Sequence, residues 1–326
     1  RAGRLVRRLS PKLESKDRTS GKEITGVPRT VAILNRDSIM LFERGLLANA
    51  LLMNWEGEVL DERPLRYFQE KDVSPIFNHG GKVLYHSPWL FFKRAPLFIR
   101  SREINEGVAA VSFEYRYDLN QNDFEELPVY FPKSYIKKGF INPFALLPLR
   151  TIVSGRNEMV YSWGAKKRLV FRRLGDFSVV KEIDAHVPAW GKTLLQAPLV
   201  PEDDIQKEME QTLSHVLYVE VLYDPWRKLI YRFAYIPTEA NWRGKDLTQD
   251  NFWVLGYNRL GVVILNEEGK MLGFTVFPAM RYWANTSFVA KDGLYLSKNN
   301  IYRDDFSEDF LEYDVFRFRV DSTDGM

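Results

Sequence analysis

The chain has 326 residues, 45% hydrophobic, 14% aromatic and 27% charged, with a formal net charge of +3 and no cysteine. That length exceeds one compact core at roughly 150 residues per domain, unless the chain is built of repeated units that pack only on their neighbours. The lack of cysteine excludes disulfides, thiolate metal sites and cysteine nucleophiles, and no apolar run approaches the roughly 18–20 residues that a membrane-spanning helix needs.

Residues 1–22 hold eight of the 46 Lys/Arg and two of the 43 Asp/Glu, which leaves 38 basic and 41 acidic side chains on the other 304 residues. The body is therefore not a basic nucleic-acid binder, and no nucleic-acid partner is expected. Residues 1–23 read as a basic N-terminal arm, a tail or an edge strand, with contact to a membrane or polyanion as the other reading. The chain opens on Arg1 rather than Met, which reads as a processed N-terminus or a truncated form.

From residue 24 the pattern is apolar β-formers separated by turn signals. A first unit runs from Val31 to Leu65 with a turn at Gly57; a second runs from Gly80-Gly81 through a long strand, Val108 to Tyr117, to a turn at Asp118–Asp123. A third spans Gly155 to Ile183. Pro201 to Ser214 is polar, with Asp203-Asp204 at its head, and reads as a short inserted helix. A fourth unit is the hairpin Val216–Tyr223, Asp224-Pro225, Leu229–Ile236, where Asp and Pro suit the first two positions of a type I turn. A fifth runs from Phe252 to Phe277 with a turn at Gly269, and a sixth from Ser287 to Val320. Residues 321–326 read as a disordered tail.

The stretch Asn54-Trp55-Glu56-Gly57-Glu58-Val59-Leu60 returns as Asn266-Glu267-Glu268-Gly269-Lys270-Met271-Leu272, 212 residues later. Divided into four intervals this is 53 residues per unit, close to the roughly 40–50 of a propeller blade. The expectation is an all-β, six-bladed β-propeller over residues 24–320, with its termini meeting in one closing blade; seven blades with shorter loops are the alternative.

The stretch Tyr223-Asp224-Pro225-Trp226-Arg227-Lys228-Leu229-Ile230-Tyr231-Arg232-Phe233 resembles a turn and strand in a family of uncharacterised, secreted, propeller-like lipoproteins of gut-type bacteria. The resemblance runs along most of residues 25–320. It implies a six-bladed type of propeller in the cell envelope, periplasmic or outer-membrane, held to the membrane only through a lipid anchor upstream of the chain. It brings no activity with it.

Candidate chemistry is sparse. Asp118, Asn120 and Asn122 imitate the first ligands of a calcium loop, but Asp123 stands where glycine is needed and Val129 where glutamate is needed. His79, His86, His186 and His215 are too scattered for a metal site, and Ser134-x-x-Lys137 lacks the helical context of a serine acyl-enzyme. Asp224 reads as a turn residue rather than a catalytic acid. Glu182, Asp184 and Glu220 are the carboxylates that could pair for a polysaccharide hydrolase or lyase. No cofactor, metal or catalytic residue is expected. The strongest binding signal is aromatic and polar interleaving in predicted loops: Trp242, Tyr257, Asn258, Arg281, Tyr282 and Trp283. Flat rings beside Arg and Asn donors suit a glycan or peptide; packing between blades is the other reading. The expected function is a binding or scaffold module for a glycan, peptide or partner protein, with the hydrolase or lyase as alternative. A scaffold acting through its basic arm on nucleic acid or membrane is a third reading.

Overall fold

The computed structural model describes residues 15–16, 23–24, 28–43, 49–64, 83–93, 106–136, 145, 148–198, 200, 204–248 and 253–318. Most of the basic arm, the Gly80-Gly81 turn, His79, Lys137, residues 201–203 and the C-terminal tail therefore lie outside the described residues. The chain divides into two compact units, Arg1–Arg100 with Glu106–Pro132, and Ser101–Asn105 with Lys133–Met326.

In the first unit, β3 (Pro28–Ile33), β4 (Ser38–Glu43), β5 (Asn49–Asn54) and β6 (Val59–Pro64) form one antiparallel meander in chain order. A second meander is made by β7 (Leu84–His86), β8 (Trp89–Lys93), β9 (Glu114–Asp118) and β10 (Asp123–Leu127). The pair β1 (Ser15–Lys16) and β2 (Glu23–Ile24) stands as its own ribbon. Alternate residues of each strand point to one face, so Met40 and Phe42 of β4 meet Phe92, Tyr115 and Tyr117 of the second sheet in one cluster. The rings of Phe42 and Phe92 meet edge to face at 5.3 Å. The long strand expected over 108–117 is shorter, because a helical turn occupies Glu106–Ala109.

Among the described residues the second unit holds three sheets. The first is β11 (Pro148–Val153), β12 (Glu158–Trp163), β13 (Arg168–Arg173) and β14 (Val179–Asp184). The second is β15 (Leu217–Asp224), β16 (Leu229–Ile236), β17 (Arg259–Asn266) and β18 (Met271–Ala279). The third is β19 (Trp283–Ala290), β20 (Gly293–Ser297) and β21 (Tyr313–Phe316). Every residue of β16 is buried, because both of its faces are covered. Ile230, Ala234 and Ile236 pack with Val160, Leu169 and Phe171 of the preceding sheet. On the other face the Tyr235 hydroxyl accepts the Ala284 N–H of β19.

The protein is thus an all-β propeller with five blades among the described residues, not six. The fourth and fifth units read from the sequence are one sheet: β16 and β17 pair without a break from Leu229↔Asn266 to Ile236↔Arg259, although residues 237–258 separate them in the chain. The repeat itself is real. Gly57 and Gly269 both have positive φ (90° and 81°). In both turns the Asn side-chain oxygen accepts the amide four residues on, at 2.9 Å for Asn54 and 2.8 Å for Asn266. These are the last turns of the first and fourth blades, so 212 residues span three intervals of about 71 rather than four of 53. The closing blade expected from both termini is not formed among the described residues, where the fifth sheet consists of β19–β21 alone. The inserted helix lies at Ile205–Leu213, with the Asp204 carboxylate accepting the Lys207 amide at 2.9 Å as its N-cap.

Candidate functional site

Consecutive antiparallel strands place alternate connections at opposite ends of a blade. Among the described residues of the second unit, the connections at one end are the short turns 154–157, 174–178, 225–228, 267–270 and 291–292. The other end carries the connections 185–216, 237–258 and 298–312, beside the short links 164–167 and 280–282. The two ends are matched between neighbouring sheets. At the loop-rich end the Tyr218 amide donates to the Gly164 carbonyl at 2.8 Å; at the turn end the Lys181 ammonium donates to the Glu268 carbonyl at 2.7 Å. Long connections on a rigid scaffold are where binding residues concentrate, so the loop-rich end is the candidate face.

All six sequence-predicted binding residues lie at that end. Tyr257 is buried and stacks on Tyr302 at 3.8 Å, with the Lys245 ammonium 4.3 Å from its ring. Asn258 is buried, accepting the Thr238 amide at 2.9 Å and donating to the Leu213 carbonyl at 3.0 Å, which ties the 237–258 connection to the inserted helix. Trp242 is buried in the same connection. Trp283 is buried against Trp253 and Tyr235 at 4.9 and 5.9 Å. Arg281 is exposed and Tyr282 buried; both donate to the same Asp314 oxygen, at 3.3 and 2.6 Å. The buried Asn300, which the sequence reading did not single out, joins two of these groups by donating to the Gly256 carbonyl at 2.9 Å and to the Tyr282 carbonyl at 3.4 Å. Arg281 therefore presents its side chain to solvent while the five others pack the base of the loops.

Among the described residues three recesses open at this end; a shallow one of about 490 Å³ lies against Phe277, Arg281, Tyr282 and Asp314, and two lie among the long connections. One, of about 380 Å³, is lined by Arg281, Lys298, Tyr302, Arg303 and Asp305 among others. Its cations are already paired: Arg303 with Asp305, Arg303 with Glu312 at 2.7 Å, Lys298 with Glu312 at 3.7 Å and Arg281 with Asp314 at 3.3 Å. The other, of about 490 Å³, is lined by Lys167, Asp184, His186, Pro188, Gly191, Lys192 and Gln196. Both volumes fall within the range of small-ligand sites, roughly 300–1,000 Å³.

Beneath the second recess lies a buried polar chain. His186 Nδ1 and the Tyr218 hydroxyl are 2.8 Å apart, and the Arg232 guanidinium lies 3.3 Å from the centre of the Tyr218 ring. Arg232 is fully buried; it donates to Ser162 Oγ at 3.0 Å and to the carbonyls of Lys167, Ala185 and Lys166 at 2.5, 3.2 and 2.6 Å. Burial lowers its pKa to about 10, so it remains charged at neutral pH. Burial, and then the Lys167 charge, hold His186 below its usual 6.5. Burial pushes the Tyr218 phenol up to about 12. The sequence reading set His186 aside as isolated. Its partners, Tyr218 and Arg232, come from the next blade and share no spacing pattern with it.

The catalytic alternatives find their carboxylates otherwise engaged. Glu182 pairs with Arg168 at 3.5 Å on the exposed face of β14. Asp184 Oδ1 accepts the His186 amide at 2.9 Å, and Glu220 Oε1 accepts the Val221 amide at 3.0 Å. Asp224 is buried in its own turn, where it accepts the Trp226 and Arg227 amides at 3.0 and 2.9 Å, the Arg227 guanidinium at 2.9 Å and the Tyr231 hydroxyl at 3.2 Å. Asp118 likewise accepts the Asn120 and Gln121 amides of its hairpin turn, at 2.8 and 3.1 Å. Among the described residues no group of three His, Asp or Glu side chains is placed to hold a metal ion.

No family model matches the chain, and no curated protein does. Among solved structures the chain is similar to a member of the DUF4221 family from Bacteroides vulgatus, with a TM-score of 0.70 and 17% identity over 87% of this chain and 75% of that one. It also aligns with Raptor from Chaetomium thermophilum at a TM-score of 0.45 and 8% identity, over 85% of this chain and 19% of that one. The likeness to the Bacteroides protein shows the fold: this chain shares its architecture with a protein from a gut-type bacterium, and that architecture is a β-propeller.

Proposed function

We propose that this chain is a non-catalytic binding or scaffold module of the bacterial cell envelope, holding a glycan, peptide or partner protein at the loop-rich end of its second unit. The observation that supports this reading most directly is the asymmetry of the blades: connections 185–216, 237–258 and 298–312 all leave from one end, and the recesses found among the described residues open there. The envelope location rests on the resemblance at Tyr223–Phe233. No nucleic acid is expected as partner, and membrane attachment is proposed only through a lipid anchor upstream of the chain.

The test is an array of glycans and peptides probed with the chain, repeated with Arg281→Ala and Lys192→Ala at the loop-rich end and with Trp226→Ala at the turn end. Arg281 and Lys192 are exposed, and Trp226 is 53% exposed, so none of the three changes removes core packing. Binding lost in either of the first two variants and kept in the third supports the reading. Loss confined to Trp226→Ala would place the ligand at the wrong end and overturn the reading; a blank array would remove the glycan and peptide ligands and leave the partner-protein scaffold. Fractionation of cells making the full-length product tests the location.

A further inference from the structure

The recess at Lys167, His186 and Lys192 differs from the one at Arg303 in that its lysines form no salt bridge among the described residues. Arg232, beneath it, is fully buried and donates to Ser162 and three backbone carbonyls, with no carboxylate in contact among the described residues. A buried charge is ordinarily paired, because carbonyl dipoles solvate a guanidinium without cancelling its field. Against these three cations the lining has one carboxylate, Asp184, and one of its oxygens is turned back onto the His186 amide. Burial first, and then the Lys167 charge, lower the His186 pKa; the Asp184 charge acts the other way and Arg232 adds a smaller lowering. The exposed Gln196 amide on the rim adds a neutral donor.

We propose that this recess binds a compact oxyanion group, the carboxylate or sulfate of an acidic sugar or a free inorganic anion, through Lys167 and Lys192, with Arg232 holding the positive potential behind them. The inference rests on the reading of this end as a binding face, and it names the chemical class of ligand. Asp184 sets the limit on affinity, since it faces the same recess with the opposite sign. A neutral sugar gains nothing from the unpaired cations.

The test is calorimetric titration of the full chain with D-glucuronate, inorganic sulfate and D-glucose, at low and at high ionic strength. Variants are Lys167→Ala, Lys192→Ala and Asp184→Asn, each checked by thermal melting for intact folding. The side-chain carbonyl that Asp184→Asn introduces still accepts the His186 N–H, so the third variant changes charge with little change in shape. Glucuronate is expected to bind and glucose not to, with each Lys variant weakening binding about tenfold, Asp184→Asn strengthening it about threefold, and salt weakening it throughout. Sulfate binding as well as glucuronate shows that the anion alone is read; glucuronate binding alone shows that the sugar ring is read with it. Equal binding of glucose, or glucuronate binding indifferent to all three variants, overturns the proposal and leaves the module reading standing. No binding of any probe, with a positive array, also overturns the proposal alone; no binding of any probe, with a blank array, overturns it together with the glycan and peptide readings.

Discussion

Replacing Arg232 by Met removes the charge from the second unit's core while keeping most of the side-chain volume. Four acceptors then lose their donor: Ser162 Oγ and the carbonyls of Lys167, Ala185 and Lys166. The Ser162 and Ala185 bonds are buried, so those two acceptors carry a penalty of about 1–3 kcal/mol each. The Lys166 and Lys167 carbonyls lie nearer solvent and can be rehydrated, so they cost less. Removing a desolvated guanidinium returns part of the loss, since charges are costly to bury even when well bonded. The net expectation is a destabilisation of about 3 kcal/mol. The control is Arg168→Met, whose pair with Glu182 is 3.5 Å long and whose side chain is 61% exposed; it is expected to stay within about 0.5 kcal/mol of the parent. Urea unfolding of the full chain, followed by tryptophan fluorescence, compares the two at fixed m-value. An Arg232→Met chain within about 1 kcal/mol of the parent would refute the view that this guanidinium ties the third and fourth blades together.

Three further outcomes follow from local geometry. Gly269→Ala combines a positive φ of 81° with a Cβ placed 2.6 Å from Ile183 Cδ1, whereas Gly57→Ala has a φ of 90° and open space; the free energy of urea unfolding is expected to fall by about 1 kcal/mol for Gly57→Ala and by about 2–3 kcal/mol for Gly269→Ala, and an equal cost at both sites would show that the clash is relieved. Asn258→Ala leaves the Thr238 amide and the Leu213 carbonyl unpaired and is expected to cost about 2–4 kcal/mol by the same assay; a smaller loss would mean that water replaces the side chain. The folded-state pKa of His186 lies below 6.5, so its contribution is complete above pH 6.5, declines as pH falls through 6.5 because the unfolded chain takes the proton first, and levels off below the folded value. Denaturation midpoints between about pH 5 and 7.5 are expected to show this fall in the parent and not in His186→Gln; the same fall in both would assign it to other groups.

The all-β class was legible because the blades are local. Each is a meander of consecutive strands closed by short turns, and turn chemistry is written in adjacent residues. Asp224-Pro225 and the Asn-x-x-Gly repeats at 54 and 266 form the turns they predict, and Asp204 caps the inserted helix. Blade number was not local. It depended on whether residues 237–258 separate two sheets or lie within one, and the β16–β17 register that decides this joins strands more than twenty residues apart. The aromatic residues of the loops lie at one end, but ring type alone does not tell packing from presentation; Tyr257 and Trp283 are covered by Tyr302 and Trp253, residues distant in the chain or unremarkable in pattern.

The sequence by itself determined the β class, the turns that close the blades and the absence of cysteine chemistry, because propensity, alternation and turn preference act within a few residues. Only the tertiary structure decided that His186, Tyr218 and Arg232 form one buried chain beneath Lys167 and Lys192. Burial and the cancellation of charge are properties of neighbours in space, and here those neighbours come from different blades.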